Sequence, residues 1–210
     1  MSIVLIGATG RTGRLIAQRL HAAAMPFHAL IRNAAKRDEI ERLGGTPIVA
    51  DLLGDFSHAF EHMDTVIFAA GSAESEGRQQ EISIDRDAVV RSVDYAKQHG
   101  VRRYIVISAL LAADPDHASE AMRHYSRMKR EADDYVVASG LDYVVLRPGP
   151  LDMEPASGTI ALTTDASARV PVARDDVAAV TVEAVQRGIK HAIIGFIGGT
   201  MPIADALALA

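Results

Sequence analysis

Cysteine is absent from this 210-residue chain. That absence excludes disulfides, thiolate nucleophiles, zinc–thiolate sites and iron–sulfur clusters together. Basic residues are not in excess: 22 Lys and Arg face 27 Asp and Glu, for a net charge of −5. General nucleic-acid binding is thereby disfavoured, because neutralising phosphates requires a basic face. Long apolar runs are also missing, and none approaches the roughly 20 residues of a membrane span. Met1 to Ile6 enters a strand at once, with neither a basic n-region nor a small-residue cleavage site. These absences lead to the expectation of a soluble, cytoplasmic protein that partners neither membrane nor nucleic acid.

What remains is ordinary in amount: 49% hydrophobic and 23% charged residues. At about 150 residues per domain, residues 1–210 read as one domain. A chain of this length buries on the order of 70% of its unfolded surface, so the core needs no staples. Monomer and homodimer both stay open.

Short apolar runs alternate with longer helical stretches. Strands are expected at Ile3–Ile6, Phe27–Ile31, Pro47–Ala50, Thr65–Ala70 and Arg103–Ile107, and around Val144–Leu146, with a last one at His191–Phe196. Between them, helices are expected over Arg11–Ala23 and Ala34–Leu43. Ile82, Val89, Val93 and Ala96 share one helical face, as do Tyr125, Lys129, Ala132 and Val136. Asp175 and Asp176 put negative charge on the first turn of a helix reaching Gln186, with Val177, Val180 and Ala184 inward. Strands that are apolar throughout and alternate with helices imply an α/β fold, a doubly wound, mainly parallel sheet of six to eight strands covered on both faces. The small-residue stretch Asp152–Thr164 is expected to be irregular, and residues from about 150 to 210 to supply the substrate side.

Gly7-Ala8-Thr9-Gly10-Arg11-Thr12-Gly13 follows the first strand and opens a helix. Gly7 permits the tight turn, Gly10 lets backbone approach a pyrophosphate, and Gly13 lets helix and strand pack closely. Free N–H groups at the positive helix end then hold the diphosphate. No Gly-Lys-Ser/Thr ending follows, so this is not a P-loop. An NAD binder usually carries Asp or Glu at the tip of the second strand. Here that tip reads Ile31-Arg32-Asn33, with Lys36 and Arg37 one turn on and Arg11 in the glycine loop. Guanidinium matches phosphate geometry, which favours NADP over NAD.

With these residues in hand, the chain resembles an atypical short-chain dehydrogenase/reductase, an NAD(P)-binding protein of the NmrA-like and flavin-reductase kind. The resemblance spans essentially the whole chain. It is carried by Gly7–Gly13, Asp51-Leu52, Ala69-Ala70-Gly71, Ser108, Tyr125-Ser126-Arg127-Met128-Lys129 and Arg147-Pro148-Gly149-Pro150. It implies that Asp51 and Leu52 flank the adenine and that Ala69, Ala70 and Gly71 line the path of the ribose. The Arg147-Pro148-Gly149 segment then lies against the nicotinamide. It also implies a catalytic set of Ser108, Tyr125 and Lys129. Tyr and Lys at i and i+4 share a helical face, and the ammonium is expected to lower the phenol's pKa. Tyr125 then acts as acid or base at a carbonyl, Lys129 also holds the nicotinamide ribose, and Ser108 orients the carbonyl. The implied function is an NADP-dependent oxidoreductase moving hydride to or from a small carbonyl, quinone or flavin-like acceptor. The competing reading is a dinucleotide-sensing regulatory protein without turnover. Only about 60 residues follow Arg147, fewer than the on the order of 100 of a separate substrate domain, which disfavours a sugar-nucleotide epimerase or dehydratase.

Other signals weigh less. His58 and His62 stand at i, i+4 beside Asp55 and Glu61, but no third histidine completes a metal set, and none is expected. His124 points about 100° away from Tyr125 on the helix. Met122, Met153 and Glu154 stand where a substrate could touch them, although methionine is more often a core filler. Asp85 and Asp87 suit an early helix turn and receive no chemistry.

Overall fold

The computed structural model describes residues 1–72 and 77–209. The first half runs β1 (Ile3–Ile6), α1 (Arg11–Ala22), β2 (Phe27–Ile31), α2 (Arg37–Arg42), β3 (Gly45–Val49) and β4 (Thr65–Phe68). Next come α3 (Gly77–Gln80), a π-helical turn at Glu81–Asp87 and α4 (Ala88–Gln98). The chain continues through β5 (Arg103–Ile107), α5 (Glu120–Ala138), β6 (Asp142–Pro148), β7 (Leu151–Asp152) and β8 (Thr159–Leu162). It closes with β9 (Val172–Ala173), α6 (Arg174–Gln186), β10 (Ala192–Gly198), β11 (Met201–Pro202) and α7 (Ile203–Leu207).

Among the described residues one nine-stranded sheet has the order β11-β8-β10-β6-β5-β4-β1-β2-β3. From β3 across to β10 the pairings are parallel. Strand β8 then pairs antiparallel with β10 and with β11. The expected six to eight strands were too few because Asp152–Thr164 is not irregular throughout: Thr159–Leu162 forms β8. Gly198 and Phe196 of β10 offer it an open edge, which no local periodicity announces. β7 and β9 form a separate two-stranded pair.

The sheet is apolar on both faces because each parallel strand feeds two cores. Ile3 and Leu5 point to the layer of α1 and α6 with Ile16, Leu20, Val177 and Val180. Val4 and Ile6 point to the opposite layer with Phe68, Val89, Val93, Ala132 and Val136. The chain leaves β1 outward to β2 and β3, then returns to β4 on the other side of β1. That reversal opens a crevice at the carboxyl ends of β1 and β4, where dinucleotides bind in such sheets.

One helical face departs from expectation. The π-helical turn widens the backbone, shifting the register of all residues before Ala88. Within it Ile84 and Asp85 are buried, whereas Ile82 is only partly so.

Candidate active site

A cavity of about 590 Å³ lies at the crevice and joins residues that follow β1, β2, β3, β4, β5 and β6. One wall is backbone. Gly7 has φ +88°, and a Cβ there would stand 2.5 Å from the Ala70 nitrogen. The Gly10 N–H donates to the Gly7 carbonyl at 2.9 Å, closing the turn. A Cβ on Gly13 would stand 2.1 Å from the Gly7 oxygen, so Gly13 supports the turn from behind and does not itself line the cavity. Gly10 caps α1 with no side-chain acceptor, and no acidic residue occupies the first helical turn. The positive end of the helix thus faces the cavity uncompensated, the arrangement that a diphosphate requires.

Thr9, Gly10, Arg11, Thr12, Arg32, Asp51, Leu52, Ala69, Ala70 and Gly71 all line this cavity, as the sequence predicts for a cofactor site. Arg32 is exposed at the tip of β2. The other basic residues there are otherwise engaged or absent: Lys36 pairs with Glu39 at 3.0 Å, and Arg37 does not line the cavity. Asp51 Oδ1 accepts the Leu53 N–H at 2.9 Å, which shapes the loop after β3. Pro148 and Gly149 do not line the cavity. Pro148 instead lies in register with Phe196 of β10, and Gly149 is packed against Ile197 and the Val170 carbonyl. Extension of β6 to Pro148 draws them into the sheet.

The opposite wall is built of charges. Tyr125 and Lys129 lie one turn apart on α5, and both line the cavity together with Ser108, Ile107 and Ile84. The Lys129 Nζ sits 5.7 Å from the Tyr125 ring centroid. It is buried, 2.9 Å from Asp85 Oδ1, and donates to the Ile107 carbonyl at 3.3 Å. Asp85, fully buried, accepts through Oδ2 from the Ser72 N–H at 3.1 Å and from the Ser72 hydroxyl. Ser108 Oγ donates to Asp133 Oδ2 at 2.8 Å, and Arg147 Nε donates to the same oxygen at 2.8 Å.

These contacts decide the charge states. Burial pulls the Lys129 ammonium down, but the Asp85 carboxylate overrides it, and Lys129 is held above its ordinary value. Tyr125 opens towards the cavity but is otherwise enclosed by protein. Burial pushes its phenol up, and Lys129 only partly opposes this. Lys129 does pull the phenol down, as expected, but burial, the larger effect, outweighs it, and Asp85, Asp133 and Glu81 add to the rise. Burial also pushes Asp133 up, against Arg147 and Ser108.

Asp85 is the correction of most consequence, because it was read as a helix-dipole residue and is the counter-ion of Lys129. Asp133, Ser72, Gln80, Leu151 and Arg174 carry no expectation from the sequence, whereas Arg147, expected beside the nicotinamide, pairs with Asp133. A signal existed for Asp85: it stands four residues before Val89 and eight before Val93, in line with an apolar face. Asp133 similarly stands four residues after Lys129 beside buried Ala132. His124 pairs with Glu81 at 2.5 Å. Met122, Met153 and Glu154 are not cavity residues, and the last two are exposed. Among the described residues no helix is long and apolar enough to cross a membrane.

Comparison with known proteins agrees with this geometry. Residues 7–187 match the NAD(P)H-binding family. An uncharacterized sugar epimerase, YhfK, of Bacillus subtilis (strain 168) is 32% identical over 212 residues, covering 99% of each chain. A solved structure from Bacillus halodurans, provisionally described as an NAD-dependent epimerase/dehydratase, covers 100% of both chains with TM-score 0.96 and 33% identity. Sanguinarine reductase of Eschscholzia californica is 25% identical over 89% of this chain and 84% of its own. The glycine turn and the switch-point crevice fit that company, and this chain belongs to the NAD(P)H-binding family.

Proposed function

We propose that the protein is an NADP-dependent oxidoreductase acting on a small carbonyl, quinone or flavin-like acceptor. One observation carries the reading: Tyr125 and Lys129 line the same cavity as the glycine turn. A bound nicotinamide supplies the hydride. The glycine turn and the α1 terminus hold the diphosphate, and Arg32 faces the 2′-phosphate. Lys129, kept charged by Asp85, donates to the ribose hydroxyls and faces Tyr125. Tyr125, kept protonated by burial, gives its proton to the acceptor oxygen as hydride arrives, and recovers one from solvent. Ser108 orients that oxygen. To donate to it, its hydroxyl turns from Asp133, which Arg147 continues to hold.

The name of a reductase among the relatives supports this class. An epimerase name is also present. Against sugar-nucleotide chemistry, the described residues after Pro148 form strands β8, β10 and β11 of the sheet, the separate β7–β9 pair, α6 and α7. The sensor reading draws on a different observation. Lys129 and Ser108 already have protein partners, as residues of an unused motif do.

The test is loss of NADPH absorbance, with NADH in parallel, against quinones, flavins and small carbonyls. Tyr125→Phe is expected to lower kcat by about 10²- to 10⁴-fold with NADPH affinity unchanged. Turnover that survives this substitution removes the acid/base role. Tight NADPH binding without turnover of any acceptor favours the sensor.

A further inference from the structure

The cavity is cationic in a chain whose net charge is −5. Arg11, Arg32, Lys129 and Arg174 line it, with Asp51 as the one carboxylate among the described lining residues. Three of these cations have a use already. Lys129 is neutralised by Asp85 at 2.9 Å. Arg32 stands at the tip of β2, and Arg11 opens α1 beside the diphosphate turn. Arg174 is left over.

Arg174 comes from the other end of the chain. It begins α6 directly after the β7–β9 pair and reaches the cavity beside Leu151. Its Nη1 donates to the Asp152 carbonyl at 3.0 Å, which ties the side chain in place, half-buried. Among the described residues no carboxylate lies within ion-pair distance of it, although the Asp152 carboxylate favours its charge from farther away. Burial first, and then the like charge of Arg11, disfavour its charged form. A guanidinium held against partial burial and a second guanidinium, with one hydrogen bond among the described residues, suits an oxyanion.

We propose that Arg174 binds a carboxylate, or an oxyanion of like shape, on the acceptor itself, so that the cavity selects acidic acceptors over neutral ones. This rests on the oxidoreductase reading for the word acceptor, but its test does not require turnover. Arg174 and Leu151 line the cavity from the segment after β6, whereas Arg32 and Asp51 come from the ends of β2 and β3. The diphosphate has its own donors in the glycine turn.

The test titrates 2-naphthoate and 2-naphthamide, flat ligands that differ in charge, into the protein saturated with NADP⁺ and follows heat. Naphthoate is expected to bind about tenfold or more tightly than the amide, the worth of one charge-assisted contact. Arg174→Gln is expected to erase that preference and leave NADPH affinity unchanged, while Arg174→Lys keeps part of it. A melting curve shows that each variant is folded. Equal binding of the two ligands, or binding of neither, overturns the proposal. So does a variant that weakens NADPH and inorganic pyrophosphate together while the naphthoate preference stays, since Arg174 then serves the diphosphate. A preference for naphthoate with no turnover of any acceptor upholds the site and removes only the oxidoreductase reading.

Discussion

The two walls of the cavity are made of different materials. The glycine-turn wall is backbone: its donors are main-chain N–H groups, and its shape comes from positions where a side chain has no room. The Lys129 wall is made of buried charges, each stable only through another: Lys129 through Asp85, Ser108 and Arg147 through Asp133. A backbone wall is specified over seven consecutive residues. The charged wall joins residues 44 positions apart, Asp85 and Lys129, across two helices. The first is therefore robust to its surroundings, whereas the second depends on how the helices pack.

The sharpest way to break the contrast is to remove one member of the charged wall. Asp85→Asn leaves Lys129 buried without its counter-ion and is expected to destabilise the fold by about 3 kcal/mol. The double variant with Lys129→Met is expected to recover part of that loss, because no lone charge remains. Denaturant unfolding of the wild type, both single variants and the double variant measures the coupling. Additive effects would mean that the pair is not an energetic unit.

On the backbone wall the effect is steric. Gly13→Val drives a side chain into the Gly7 carbonyl. It is expected to weaken NADPH binding about 100-fold, equivalent to roughly 2.7 kcal/mol. Gly54→Ala, whose Cβ would meet only the Asp51 oxygen at 3.7 Å, serves as a silent control. Equal losses at the two glycines in a fluorescence titration would contradict the steric account.

Arg32 tests the margin of the same wall, where solvent screens the charge. Arg32→Asp is expected to move the NADPH-to-NADH affinity ratio by about tenfold towards NADH. An unchanged ratio would take the 2′-phosphate away from Arg32.

The smallest effect is an absence of change. Burial holds the Tyr125 phenol above its ordinary value, so it stays protonated through neutral pH. Carbonyl reduction dependent on this proton is expected to be flat there and to fall only beyond the ordinary phenol value of about 10. The sign for stability agrees. A raised folded value means that the contribution is intact below the unfolded value and is lost as pH rises through the folded one. A rate that declines between about pH 7 and 9 would place another group in control.

How much of this was legible beforehand follows from the range of each interaction. The ends of β1, β2 and β5 and the span of α6 were legible, because β-branched runs and an acidic first turn are local signals. Strand β8 was not, since its apolar content, Ile160 and Leu162 among small residues, acquires meaning only beside the edge of β10. That Pro148 and Gly149 lie off the cavity lining was not legible, because nothing local reveals that β6 runs on to Pro148. Asp85 stood in line with Val89 and Val93, but its acidic character at a helix start masked that position, and its partner Lys129 lies on another helix.

By itself the sequence determined the doubly wound sheet, the glycine turn and the helical neighbourhood of Tyr125 and Lys129. Each of these follows from residues a few positions apart obeying steric and periodic rules. Only the tertiary structure decided which charges meet. It set Asp85 against Lys129 and Asp133 between Ser108 and Arg147, and it brought Arg174 into the cavity. The physical reason is the same in each case. Desolvation and Coulomb attraction act through space, and their sign at a given atom depends on neighbours that chain order does not supply.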